Sequence, residues 1–116
     1  MQSFPLMEQS VGANATVANL LSGQPIQYWG KAGVLTIYGN ADAVGMLWSL
    51  NINDGQTNTQ IVPAGSGLSA ASTTGKVKTN EDFIGQFAIP AGVQLILAVT
   101  NTTAGAIKVS FLFVIT

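Results

Sequence analysis

The chain has 116 residues with four basic side chains, all lysine, and five carboxylates, which give a net charge of −1 at neutral pH. Charged residues make up 8% of the sequence, whereas soluble domains average about 25%. Cysteine and histidine are both absent, which excludes disulfides, thiolate nucleophiles, histidine general bases and metals held by either residue. The composition therefore predicts a single domain that holds no metal or cofactor and is stabilised by packing.

Nucleic-acid and membrane partners are disfavoured on similar grounds. A nucleic-acid binder needs a basic stripe to displace counterions, and four lysines are too few. They are Lys31, Lys76, Lys78 and Lys108. Residues 1–13 lack the basic and apolar regions of a signal peptide, and the longest apolar run, residues 111–115, is far too short to span a bilayer as a helix. We expect neither kind of partner and no secretion signal.

The first part of the chain predicts an arm followed by short strands. Residues 1–13 carry large apolar side chains without strand alternation, which predicts an N-terminal arm, either frayed or docked on a neighbouring subunit. A single β-sandwich domain is then expected at residues 14–116. Weak strand signals occur at residues 16–21 and 25–29, and a short apolar strand is predicted at residues 34–38.

The strongest strand signal lies in the middle of the chain. Large apolar residues recur at every second position from Val44 to Ile52, which predicts a half-buried strand. Asp54-Gly55 follows and predicts a tight hairpin to an extended segment at residues 57–62. The small residues at positions 63–75 then predict a long loop.

The C-terminal part contains three further strand signals, at residues 83–89, 93–99 and 107–115. The first of these places Phe83, Phe87 and Ile89 on one side. No segment keeps a helical period over three turns, so seven to nine short strands predict an all-β sandwich or barrel. The predicted core residues are Trp48, Leu50, Phe87, Leu95, Leu97, Val109, Phe111 and Phe113.

The segments at residues 83–93, 95–101 and 107–116 resemble the closing strands of small single jelly-roll structural proteins of viruses, including phages. The resemblance covers residues 34–116 and lies in strand rhythm, small polar loops and a chain that ends inside its last strand. It implies an antiparallel β-sandwich of eight strands, a jelly roll. It also implies a non-enzymatic subunit of a capsid vertex, shell, decoration or tail, located in the virion. Because residues 1–13 hold Glu8 and no basic residue, an outer or vertex position is favoured over contact with a packaged genome.

Three aromatic residues are candidate contacts for a ligand or partner. Tyr28 and Trp29 lie in a weakly patterned stretch, where exposed rings could stack on a sugar or on another protein. Burial at the margin of the sandwich is the alternative interpretation of both. Together with Tyr38 they support a second hypothesis, a carbohydrate- or protein-binding β-sandwich module.

No residue is assigned a catalytic or metal-binding role. Asp54 fits a turn better than a calcium loop, because the ligand spacing of such a loop is missing. Glu81 and Asp82 are adjacent carboxylates, and adjacent side chains of an extended chain point to opposite sides. The sequence therefore predicts a protein that is not an enzyme.

Self-association is the partner prediction. The strands at residues 95–99 and 111–115 carry apolar side chains on both faces, and the surface has little charge to keep subunits apart. We expect a homo-oligomer, a closed ring of three or five subunits, with other structural proteins as further partners. The competing explanation is that Ile96, Leu112 and Val114 are covered by the 63–75 loop or by the N-terminal arm.

Overall fold

The structure, a computed structural model, describes residues 2–70, 77 and 82–116, and this part of the chain forms nine strands and one short 3-10 helix. The strands are β1 (Gln2–Val11), β2 (Thr16–Val17), β3 (Tyr28–Trp29), β4 (Gly33–Ala41), β5 (Met46–Asn53), β6 (Asn58–Gly67), β7 (Phe83–Ile89), β8 (Val93–Asn101) and β9 (Ile107–Ile115). The helix, Pro25–Gln27, lies between β2 and β3. No helix of the described segments is long and apolar enough to cross a membrane.

The strands form two sheets in which every strand pairing is antiparallel. The first sheet has the order β1-β9-β4-β7, and the second has the order β2-β8-β5-β6, with β3 also paired to β8. Apart from β3, the pairs nest from the ends of the chain inward: β1 with β9, β2 with β8, β4 with β7 and β5 with β6. The predicted all-β antiparallel sandwich is confirmed.

The core lies between the sheets and follows the period-two pattern of the strands. Every second residue of β8 and of β9 is buried. Trp48 of the second sheet meets Phe111 of the first, with ring centroids 5.9 Å apart, and Phe111 stacks on Phe113 at 5.8 Å. All predicted core residues are buried except Phe87, which is half-buried and packs against the others.

The segment predicted as an N-terminal arm is the edge strand β1. It pairs with β9 over its whole length, and its side chains Leu6 and Val11 are buried. A β-bulge between Leu6 and Gln9, where Glu8 has a φ of 52°, puts the apolar residues before and after it out of phase. The bulge explains why the sequence shows no alternation in this segment.

Two apolar side chains predicted to face the core are exposed. Val44 is 80% exposed because it lies in a bend before β5, so its period-two spacing from Met46 has no structural meaning. Phe83 is 55% exposed because the β4–β7 register shifts between Ile37 and Tyr38, which separates it from the face of Phe87.

The predicted loop at residues 63–75 begins later than expected. The hairpin after β5 is confirmed, but β6 continues through residues 63–67, and Pro63 is accommodated because β6 is an edge strand. Residues 68–70 then cross toward the first sheet, where Ala70 bridges Ala41. Residues 71–75 lie outside the described part of the chain, as do Lys76, Lys78 and Glu81.

Candidate functional site

Tyr28 and Trp29 form the two-residue strand β3 beside the start of β8. Tyr28 pairs with Gln94 and Trp29 pairs with Val93, so the alternation of the strand turns their rings to opposite faces. Trp29 is half-buried and packs edge-on against Phe4, with centroids 5.4 Å apart and an interplanar angle of 80°. The Tyr28 side chain is 68% exposed. Only Tyr28 is therefore presented fully to solvent.

The third candidate, Tyr38, lies elsewhere. It belongs to β4 of the first sheet, and its ring contacts that of Phe83 at 5.9 Å. The structure thus brings Tyr28 and Trp29 together and places Tyr38 on a different surface.

Two grooves flank the Tyr28-Trp29-Gly30 segment. The first has a volume of about 420 Å³ and is lined, besides this segment, by Asn53, Asp54 and Gln94 among others. The second has a volume of about 510 Å³, and Lys31 is among its lining residues. Of the two, only the first groove is also lined by Gln94 and Asn53, which lie in the same row as Tyr28 on the second sheet.

A row of carboxamides adjoins Tyr28 on that face. Gln94 pairs with both Tyr28 and Asn53, and Asn53 pairs with Asn58, so these four residues cross the sheet side by side. The next row contains Asn51 paired with Gln60. Sequence reasoning assigned no role to these amides. The polar positions in the alternation of β5 indicate Asn51 and Asn53. Only the strand register shows that Gln94 and Asn58 lie beside Asn53.

The turn at the end of this row is built by its own side chains. Asp54 Oδ1 accepts the N–H groups of Thr57 and Gln56 at 2.8 and 2.9 Å, and Asn53 Oδ1 accepts the N–H of Gly55 at 2.7 Å. The hydrogen bonds from Thr57 and Gln56 hold the pKa of the exposed Asp54 carboxyl below its usual range. The turn therefore carries an ionised, oriented carboxylate at neutral pH.

Two polar atoms near this end of the second sheet are shielded from water without a hydrogen-bond partner among the described residues. They are Trp29 Nε1 and Asn51 Oδ1. Buried polar atoms are nearly always paired in native proteins, so unpaired ones call for an explanation. Trp29 lines both grooves beside Tyr28, and Asn51 lies two residues before Asn53 on β5.

The outer face of the first sheet has the opposite character. Pro5, Leu112, Tyr38 and Phe83 are successive partners, one on each of the four strands, and form an apolar row across the whole sheet. Val114 lies in the adjacent row, where its partners are the uncharged Ser3 and Thr36. We call the Pro5–Leu112–Tyr38–Phe83 row with Val114 the apolar patch. It departs from the hydrophilic outer face that is usual for a solvent-exposed antiparallel sheet.

The fold defines the chain as an all-β antiparallel sandwich, with an amide row on the outer face of one sheet and the apolar patch on the outer face of the other. No model of a known protein family matches the sequence, and no curated protein matches it significantly. In the described residues there is no group of three or more Asp or Glu side chains placed to hold a metal ion.

Proposed function

We propose that the protein is a non-enzymatic structural subunit of a virus-like particle, such as a capsid vertex, shell, decoration or tail component. In this proposal it assembles with copies of itself through the outer face of the first sheet. The apolar patch is the observation that carries it. The proposal requires no catalytic residue, metal or cofactor.

The strand order supports a jelly roll. Leaving out the two-residue β3, each sheet holds four strands, and the nested pairs follow the path of a long two-stranded ribbon rolled into a sandwich. Jelly rolls are common among viral capsid domains and also among lectins, so the fold agrees with a particle subunit without excluding sugar binding.

The apolar patch supports self-association. Its members come from the central strands β9 and β4 as well as from both edges, and Leu112, Tyr38 and Val114 remain half-exposed in the single chain. β1 lies beside β9 in the same sheet, so the N-terminal segment does not cover the patch. Exposed apolar surface of this kind usually marks a site of interaction.

The distribution of charge supports an outer position in a particle. In the described residues Lys31 and Lys108 lie at opposite ends of the first sheet, Lys31 just before β4 and Lys108 in the first half of β9. The backbone N–H of Lys108 donates to the carboxylate of Asp42, which brings a negative charge close to it. The described part of the surface offers no basic stripe for a packaged nucleic acid.

The mass of the purified chain in solution tests the proposal. Light scattering at concentrations on the order of tens of micromolar should give a species of three or five times 12.0 kDa, and negative-stain images should show closed rings. A 12.0 kDa species that persists over that range would contradict self-assembly.

A further inference from the structure

We propose that the first groove beside Tyr28, at one end of the second sheet, binds a neutral oligosaccharide. This function goes beyond self-assembly, which uses the outer face of the other sheet. The groove and the apolar patch share no residue and belong to different sheets, so one subunit can use both at once.

The aromatic ring is the first element of the site. Large aromatic side chains are mostly buried, yet Tyr28 is 68% exposed and stands at the edge of a groove of about 420 Å³. An exposed tyrosine offers an apolar ring face, on which the C–H groups of a sugar can stack, and a polar hydroxyl at its tip. The strand pairing of Tyr28 with Gln94 holds the backbone of this platform in place.

The carboxamide row is the second element. Each amide side chain has two N–H donors and an acceptor oxygen, which match hydroxyl groups that donate and accept together. Gln94, Asn53 and Asn58 stand on three neighbouring strands, so they span roughly 10 Å at the usual strand separation. Asn53 Oδ1 already accepts the Gly55 N–H, which orients its NH₂ group. A row of this length suits more than one sugar ring.

The chemistry of the row also argues against a protein partner. Contact sites for proteins surround an aromatic anchor with further apolar or aromatic side chains. Here the side chains that follow Tyr28 in its own row are all amides, and the apolar Ile96 of the next row is half-buried beside Asn51. Hydrogen-bonding groups next to a single exposed ring fit a sugar better.

The charge of the groove favours a neutral sugar over an acidic one. Asp54 is the charged residue among those that line it. Oδ1 of Asp54 accepts the two N–H groups of the turn. Within the described residues Oδ2 takes part in no hydrogen bond, so it can accept one from a sugar hydroxyl. A carboxylate in that place repels sialic acids, uronic acids and sulfated sugars.

Two variants remove the site in different ways. Tyr28→Ala deletes the stacking platform. Gly30→Leu fills the groove from its side: a Cβ on Gly30 meets no atom within 4 Å, and the residue does not have a left-handed φ, so the fold should accept it. Gly105→Leu is the matched control, because Gly105 has the same two properties and lies in the turn at the other end of β8.

The probe is an immobilised panel of neutral oligosaccharides, built from hexoses and N-acetylhexosamines, beside sialylated, uronate-containing and sulfated ones. The unmodified protein should bind at least one neutral member saturably. Calorimetry with that sugar should show roughly tenfold or greater weakening for Tyr28→Ala and Gly30→Leu, the usual loss when an anchoring aromatic is removed, and no change for Gly105→Leu.

Three results would overturn the proposal. They are no saturable binding to any neutral member of the panel, binding to acidic members only, and neutral binding that both site variants leave intact. Circular dichroism and light scattering on each variant should show that fold and assembly are unchanged. A failure of sugar binding is thereby distinguishable from a failure of self-assembly.

Discussion

Phe111 contacts aromatic rings of both sheets. Its side chain is fully buried between Trp48 and Phe113, and it lies so close to its strand partner Gly39 that a Cβ there would come within 2.7 Å of the ring. Replacing it by alanine should lower the free energy of unfolding by about 3 to 5 kcal/mol, since the cavity cannot close around a rigid sheet. Lys108→Ala, an exposed change on the same strand, should stay within about 0.5 kcal/mol. Urea unfolding measures both, and a loss below about 1 kcal/mol for Phe111→Ala would mean that the ring does not face the core.

Asn101 joins the beginning of the chain to the β8–β9 turn. Its fully buried Nδ2 donates to the carbonyl oxygens of Val11, Gly12 and Gly105, and its Oδ1 accepts the N–H of Thr103. Alanine at this position takes the side-chain donor from the buried Val11 carbonyl and the acceptor from the Thr103 N–H, whereas the Gly12 and Gly105 carbonyls keep hydrogen bonds from the Ala15 N–H and the Thr103 hydroxyl. We expect a loss of at least about 2 kcal/mol in unfolding free energy, measured by urea denaturation.

The exposed Asn58 provides the comparison for Asn101. Asn58→Ala removes the same amide from the solvent-exposed first residue of the edge strand β6 and should change the unfolding free energy by no more than about 0.5 kcal/mol. Equal losses for the two variants would show that burial of the amide network does not matter to stability.

Among the individual elements, the β5–β6 turn has a testable dependence on pH. Hydrogen bonds from Thr57 and Gln56 lower the pKa of Asp54 in the folded state. These hydrogen bonds therefore stabilise the turn at pH values above about 3.9, the pKa of the aspartate in the unfolded chain. Their contribution is lost as the pH falls through the pKa of the folded state. In an NMR titration the amide resonances of both donors should shift together with a midpoint below about pH 3.9. Asp54→Asn keeps an acceptor that does not titrate and should abolish the shift, whereas a midpoint above about 3.9 contradicts the assignment.

The elements that the sequence predicts well are those whose alternation is uninterrupted. β8 and β9 repeat apolar residues at period two without a break, and every inward residue predicted there is buried. β1 and the end of β6 escaped prediction because the pattern is broken locally, by the bulge at Glu8 in one and by two register shifts opposite β5 in the other. At Val44 the opposite happened: the spacing of apolar residues at every second position continues by chance beyond the start of β5, and the side chain is exposed.

At the scale of the whole molecule, the candidate surfaces depend on register between strands far apart in the chain. Tyr28 was identified from its local surroundings, but its neighbour Gln94 is 66 positions away and Asn58 belongs to a different strand. The apolar patch likewise joins Pro5 to Phe83 through two intervening strands. Composition and strand alternation predict a β-sandwich with few charges, whereas the pairing partners decide which side chains share a face.

The two outer faces make different predictions for assembly, and a matched pair of substitutions separates them. Leu112 and Ile96 are both half-buried, both point outward, and both lie on a strand flanked by neighbours on each side, Leu112 in the first sheet and Ile96 in the second. If copies meet through the apolar patch, Leu112→Lys places a charge in a desolvated contact and should weaken association by roughly 100-fold or more, leaving a 12.0 kDa species in light scattering. Ile96→Lys should leave the oligomer intact, because the polar face of the second sheet stays exposed to solvent.

Both variants should keep the circular dichroism of the parent, since neither side chain faces the core. If Ile96→Lys dissociates the oligomer and Leu112→Lys does not, the subunits meet through the second sheet, and the apolar patch has some other occupant.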